Sequence, residues 1–262
     1  MSRMFSALHN AASPSVLAIR GRTHSAPEIA TLLEKRAFEP CRCTSVTANP
    51  GADSRLVSLQ PTNPGAERFQ VLANRLLHRR ETTGMKVIVV TSASVGEGKS
   101  FVASNLALTL AKECKQKTVL LEGDFHKPVL SRLFGLTTEF GLNSLSEPDT
   151  GDFTVYYLEN LGCHLLPVAR PIGSSFGLLQ SPALTELLQR LRNSFDWVVI
   201  DSPALSIADA NVWCRVADGI LLVAREGQTT KTSLQCGLDC LDDPRIIGAI
   251  FNHAGCAHGL GN

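Results

Sequence analysis

The 262-residue chain carries almost no net charge, no long apolar run and no CxxC cysteine pair, and each absence removes a class of protein. Lysine and arginine number 25 against 24 aspartates and glutamates, a formal charge of +1. No general electrostatic pull toward nucleic acid is built in, and none is expected as a partner. The longest apolar stretches, such as residues 87–90 and 220–224, fall far short of the roughly 18 residues a membrane span needs, so no transmembrane segment is expected. Eight cysteines are present, yet none forms a CxxC. The nearest spacings, Cys41 to Cys43 and Cys236 to Cys240, lack the matching pairs a zinc site requires. Reduced structural thiols in a cytoplasmic protein are the expectation, in keeping with the lack of a secretory signal.

What is there reads as a globular α/β protein. Hydrophobic residues make up 44% and charged ones 19%, a composition that can bury a core. Residues 1–61 differ from the rest: they are rich in Ser, Ala, Pro and Thr, and through Gly65 seven basic residues face four acidic ones. Met1, Met4, Phe5 and Leu8 share one helical face, and Ile29, Leu32 and Leu33 form a second short pattern. This stretch is expected to be a poorly ordered basic arm with short helices. Its first 24 residues hold Arg3, Arg20 and Arg22 and no acid, which suits either a tether or an organelle transit peptide. Residues 62–262 are expected to form the folded domain. Asn63-Pro64 caps a helix with Phe69, Leu72, Leu76 and Leu77 as its apolar stripe and Glu67, Arg68, Arg75, Arg79 and Arg80 in water. Strands are predicted at 86–91, 118–122, 164–167, 197–201, 219–224 and 246–252. Helices are predicted at 99–114, 182–192, 208–216 and 230–241. Apolar strands alternating with helices mean a three-layer α/β fold: a mostly parallel central sheet with helices on both faces. The stretch 135–161 shows no strong period and is expected to be an irregular excursion with a short helix.

The first strand runs into Ser92-Ala93-Ser94-Val95-Gly96-Glu97-Gly98-Lys99-Ser100-Phe101 and then a helix. Backbone N–H groups of such a loop, together with the helix N-terminus, make an anion nest for phosphates. Gly96 and Gly98 let the backbone approach closely. Lys99 reaches β- and γ-phosphate oxygens, and Ser100 offers its hydroxyl to Mg²⁺. Ala93 stands where the usual loop has its first glycine. Two further strands end in acids, Glu122-Gly123-Asp124 and Asp201-Ser202-Pro203, at the sheet edge where open α/β folds bind ligands. A lone Asp after a strand is also a common turn or cap residue.

These segments, SASVGEGKS, VLLEGDFHKP and WVVIDSPA, resemble the Walker A, A′ and B motifs of the bacterial tyrosine kinases of capsule and exopolysaccharide biosynthesis. That family is a branch of P-loop NTPases akin to MinD and ParA. The resemblance covers about residues 62–253 and includes ADGILLVAREGQT and IIGAIFN. Partition ATPases carry a signature lysine where this chain has Ser94, which favours the kinase branch. The resemblance implies ATP and Mg²⁺ as cofactors, with nucleotide held by residues 94–101 and Asn252. It implies metal held by Ser100, Glu122, Asp124 and Asp201, and chemistry by Lys99, Glu122 and Asp124. Glu122 would accept the tyrosine proton and Asn252 would read the adenine edge. It further implies a membrane polysaccharide chain-length regulator as partner, on the inner face of the plasma membrane, and a homo-oligomer. Asp209 matches a family acidic position or serves as a helix cap. A catalytically decayed ATP-binding regulator of polysaccharide export is the alternative, and a MinD/ParA-like ATPase a further one.

Four departures accompany the resemblance. Glu122 replaces the family's Asp, and one extra methylene shifts a carboxylate by roughly 1 Å, a distance that matters to catalysis. His126 replaces an Arg, turning a permanent charge into a conditional one. The family's oligomerisation series of Glu, Arg, Arg reads Glu67, Gln70, Ala73 here. The segment after Asn252 holds no tyrosine, and the chain's two tyrosines are Tyr156 and Tyr157, which are expected to pack.

Overall fold

The computed structural model describes residues 18–19, 22–23, 42–51, 56–60, 62–146, 153–241 and 245–253. The chain divides into two compact units, Met1–Pro40 and Cys41–Asn262. In the first, the described residues form two short antiparallel strands, β1 (Ala18–Ile19) and β2 (Arg22–Thr23). The helical faces expected within residues 1–8 and 29–33 lie outside the described residues.

The second unit is built on eight strands: β3 (Arg42–Val46), β4 (Val87–Ser92), β5 (Thr118–Glu122), β6 (Thr154–Leu158), β7 (Cys163–Leu166), β8 (Trp197–Asp201), β9 (Gly219–Arg225) and β10 (Ile246–Asn252). Their order in the sheet is β10-β9-β4-β8-β5-β7-β6-β3. All neighbours run parallel except β6 and β7. Register places Glu122 beside Asp201 on adjacent strands, and Asp201 beside Val90 of the strand that feeds the glycine-rich loop. The three elements of the expected site therefore end at one edge of the sheet.

Side chains alternate across the strands, so each of the strands β4 to β9 feeds two cores. On one face Ile88, Val90, Leu120, Val199 and Leu221 meet α1 (Pro64–Thr83) and α2 (Lys99–Lys112) through Phe69, Leu76, Leu106 and Leu110. On the other face Val87, Val89, Val119, Leu121, Val198 and Ile220 form the second core. They meet α5 (Pro182–Ser194) and α6 (Asp209–Val216) through Leu187, Leu191 and Trp213. Short helices α3 (Leu130–Leu133) and α4 (Phe176–Leu179) lie in loops, and α7 (Lys231–Asp239) follows β9. Helix starts follow their capping residues. Asn63 accepts from Gly65 N–H at 2.8 Å, Ser181 from Leu184 N–H at 3.3 Å, and Thr230 forms a capping box with Ser233.

Three expectations differ from the fold. Residues 42–60 were expected in the poorly ordered arm, but β3 pairs with β6 at the sheet edge. Leu56 is buried, and Ser58 bonds Asn105 and Thr109 of α2. The excursion at 135–161 contains strand β6, whose burial is nearly continuous rather than alternating, so period gave no cue. Arg80, expected in water, is partly buried with its guanidinium 5.3 Å from the Trp197 ring centre, reaching Gln116 and Asp196. Tyr156 does pack, with its hydroxyl donating to Phe140 O at 3.0 Å. All six described cysteines are free thiols. Burial pushes Cys163 and Cys214 up to about 12.

Candidate functional site

At the end of β4 the chain turns through residues 93–98 into α2. Gly96 and Gly98 both adopt positive φ, +89° and +97°, a region glycine enters freely. A Cβ on Gly98 would lie 2.0 Å from Asn252 Nδ2, so only glycine fits there. No side chain caps the N-terminus of α2, which leaves its first N–H groups available to an anion. Glu97 is fully buried and works inside the loop. Its Oε2 accepts from Ser94 N–H at 2.9 Å, and its Oε1 accepts from the Thr229 hydroxyl. Arg225 Nη1 donates to Gly96 O at 3.3 Å. Arg225 and Thr229 lie in the ADGILLVAREGQT segment of the resemblance, but nothing in their spacing marks them as supports of a loop more than a hundred residues earlier.

Lys99 is 8% exposed. Burial lowers its pKa, opposed by the charges of Asp201, Asp124 and Glu97. Asp201 is buried at the end of β8 and pushed up to about 7, chiefly by burial. The Ser100 hydroxyl bonds its carboxyl and lowers it, Glu122 raises it, Lys99 lowers it and Asp124 raises it. Asp201 Oδ1 is buried without a hydrogen-bond partner, a cost that a bound ligand would relieve. Asp124 Oδ1 accepts from the N–H groups of His126 and Lys127 at 3.1 and 2.9 Å. Lys99, Ser100, Asp124 and Asp201 thus gather at one place.

Glu122 and Asn252 behave differently from expectation. Glu122 Oε1 accepts from Val129 N–H and from Leu130 N–H at 2.7 Å, and Oε2 accepts from Val168 N–H at 2.9 Å. Both oxygens are occupied by backbone. Burial raises its pKa, the three N–H donors oppose that rise and Asp124 adds to it. Asn252 donates to Glu97 O at 3.0 Å and accepts from His253 N–H at 3.0 Å, so its amide supports the loop. Val95 is exposed on the loop, and Phe101 packs edge-on against Phe69 at 5.8 Å.

Two supports had no sequence signal. Trp213 Nε1 donates to Gly123 O at 2.9 Å, and Gly123 N–H donates to Asp201 O at 2.8 Å. A Cβ on Gly123 would sit 2.8 Å from the Trp213 nitrogen. Ser175 donates to Asp209 Oδ2 at 2.5 Å and lies 3.4 Å from His126 Nε2. His126 in turn is 3.4 Å from Asp209. Asp209 is the first residue of α6 and makes no cap; its carboxyl group instead faces His126 and Ser175.

The oxygen donors Ser100, Asp124 and Asp201, with one carboxyl oxygen left unpartnered, suit a hard divalent cation such as Mg²⁺. Among the described residues no three His, Cys, Asp or Glu side chains converge on one point. Phosphate oxygens and water would complete such a shell.

No protein-family model matches the chain. It is 29% identical over 197 residues to the tyrosine-protein kinase YwqD of Bacillus subtilis, covering 74% of this chain and 83% of that protein. It is 31% identical over 209 residues to the succinoglycan biosynthesis transport protein ExoP of Rhizobium meliloti, covering 76% of this chain but 26% of ExoP. The kinase domain of the Escherichia coli tyrosine kinase ETK shares the fold, with a TM-score of 0.70 at 23% identity over 91% of this chain and all of that domain. The phosphate loop, the acid-tipped strands and these relatives agree, and the chain is similar to the bacterial tyrosine kinases.

Proposed function

We propose that this protein binds Mg·ATP between the 93–100 loop and the tips of β5 and β8 and transfers the γ-phosphoryl group to tyrosine in capsule or exopolysaccharide assembly. The carrying observation is the buried Lys99 ammonium facing Asp201 and Asp124 at an uncapped helix N-terminus. Lys99 and the loop N–H groups would neutralise charge on the phosphates, and Ser100, Asp201 and Asp124 would hold Mg²⁺. Bound there, Mg²⁺ supplies charge neutralisation and alignment of the phosphate oxygens. In the transfer the tyrosine oxygen bonds to the γ-phosphorus, the bond to the β-bridging oxygen breaks, ADP leaves, and the phenolic proton passes to a carboxylate. A cleft of about 340 Å³ lined by Phe69, Phe101, Ile250 and Asn252 adjoins the loop and suits the nucleobase.

The alignment with a succinoglycan biosynthesis transport protein supports a place in polysaccharide transport; a membrane chain-length regulator as the partner and the inner membrane face as the place of work follow from the family resemblance. Among the described residues no helix is long and apolar enough to cross a membrane. The occupied Glu122 carboxylate favours a second reading, an ATP-binding regulator without transfer. The two are separated by incubating the protein with ATP, Mg²⁺ and a tyrosine substrate and scoring phosphotyrosine. Lys99→Ala is expected to lose at least a hundredfold of turnover and most ATP binding. Unchanged ATP affinity and turnover in that variant would remove the site.

A further inference from the structure

Between Glu122 and Val129 the chain makes a short loop, residues 123–128, and Asp124 lies within it. The far end of that loop returns to the residue it left: Val129 and Leu130 both donate their N–H groups to Glu122 Oε1. The other carboxyl oxygen takes the Val168 N–H, just past the end of β7. The side chain is wholly buried. Three backbone donors that would otherwise be unpaired are satisfied by one carboxyl group, an arrangement that holds loop and strand together. Asp124, by contrast, spends one oxygen on the turn it starts and leaves the other without a hydrogen-bond partner among the described residues. Its charge is felt at both Lys99 and Asp201.

We infer that Glu122 is a positioning residue: its carboxyl group clasps the 123–128 loop shut and holds Asp124 toward Lys99 and Asp201, and Asp124 is the carboxylate that faces the reacting phosphoryl group. The longer glutamate is what spans to the three amides; an aspartate, shorter by one methylene, falls short of Val129 and Leu130 on one side or Val168 on the other. The meaning given to Asp124 rests on the phosphoryl-transfer reading, whereas the clasp itself does not.

The test compares the full chain with Glu122→Gln and Glu122→Asp. Glutamine keeps the size but turns an NH₂ group toward at least one backbone N–H. Both variants are expected to speed amide hydrogen exchange at Val129, Leu130 and Val168 by roughly tenfold or more. Both are expected to raise the Mg²⁺ concentration needed for binding a fluorescent ATP analogue by about tenfold, as lost support of a metal ligand does. Phosphotyrosine formation at saturating Mg²⁺ should stay within about tenfold of the native rate. Unchanged exchange and an unchanged Mg²⁺ requirement overturn the clasp. So does transfer that survives in Glu122→Asp and vanishes in Glu122→Gln, the signature of a proton acceptor. A native protein that binds Mg·ATP yet makes no phosphotyrosine counts against the proposed function, and the exchange and Mg²⁺ readouts still decide the clasp.

Discussion

At the scale of the residue, the glycine-rich motif announces chemistry but not the state of each group. Asp201 shows this: its position was legible from an apolar strand ending in acid, while its pKa depends on what buries it. Burial lifts it to about 7, well above the range of an unfolded aspartate. The folded, ligand-free protein therefore binds a proton that the unfolded chain has released. Stability from this group falls as pH rises from the ordinary aspartate range to about 7. Mg²⁺ needs the ionised carboxyl, so the sign for ligand binding is the reverse. Affinity for Mg·ATP is expected to climb up to about tenfold per pH unit up to about 7 and then level off, with proton release below that point. Calorimetry in buffers of different ionisation enthalpy checks both. Glu122 carries the opposite lesson: its motif position points to catalysis, and only the return of the chain at Val129 and Leu130 reveals where its oxygens go.

At the scale of the element, boundaries followed local chemistry closely. The strands at 118–122, 197–201 and 246–252 coincide with β5, β8 and β10; β5 and β8 are buried throughout, as continuous apolar runs between helices suit, whereas β10 is a partly exposed edge strand. How those elements are fastened was not legible. Asp218, just before β9, receives Lys86 and Val87 N–H groups at 2.8 Å each and a two-pronged bond from Arg192 of α5 at 3.0 and 2.8 Å. Burial would raise its pKa, but the Arg192 and backbone donors outweigh burial and hold it below the usual range. Its contribution is present above the unfolded value and is lost as pH falls through the folded one. Asp218→Ala is expected to cost roughly 2 kcal/mol in urea unfolding near neutral pH, and less in acid. Equal losses at both pH values would show that packing, not this bond set, is what the residue provides.

At the scale of the whole molecule, the compact unit begins near Cys41, well before the composition changes. Removing residues 1–40 is expected to leave ATP binding and cooperative unfolding intact. Removing residues 1–61 strips β3 from β6 and Ser58 from α2, and should lower Tm by roughly 5–10 °C. Thermal melts of the two truncations, with equal Tm as the contrary result, decide where the folded unit starts. The sequence by itself determined the parallel α/β architecture, the phosphate loop and the acid-tipped strands, since those rest on local period and on residues adjacent in the chain. Tertiary structure alone decided the edge strand at 42–46, the supports at Trp213, Thr229 and Ser175, and the duty of Glu122. Each of these depends on contacts between segments far apart in the chain, and such contacts leave no local pattern to read.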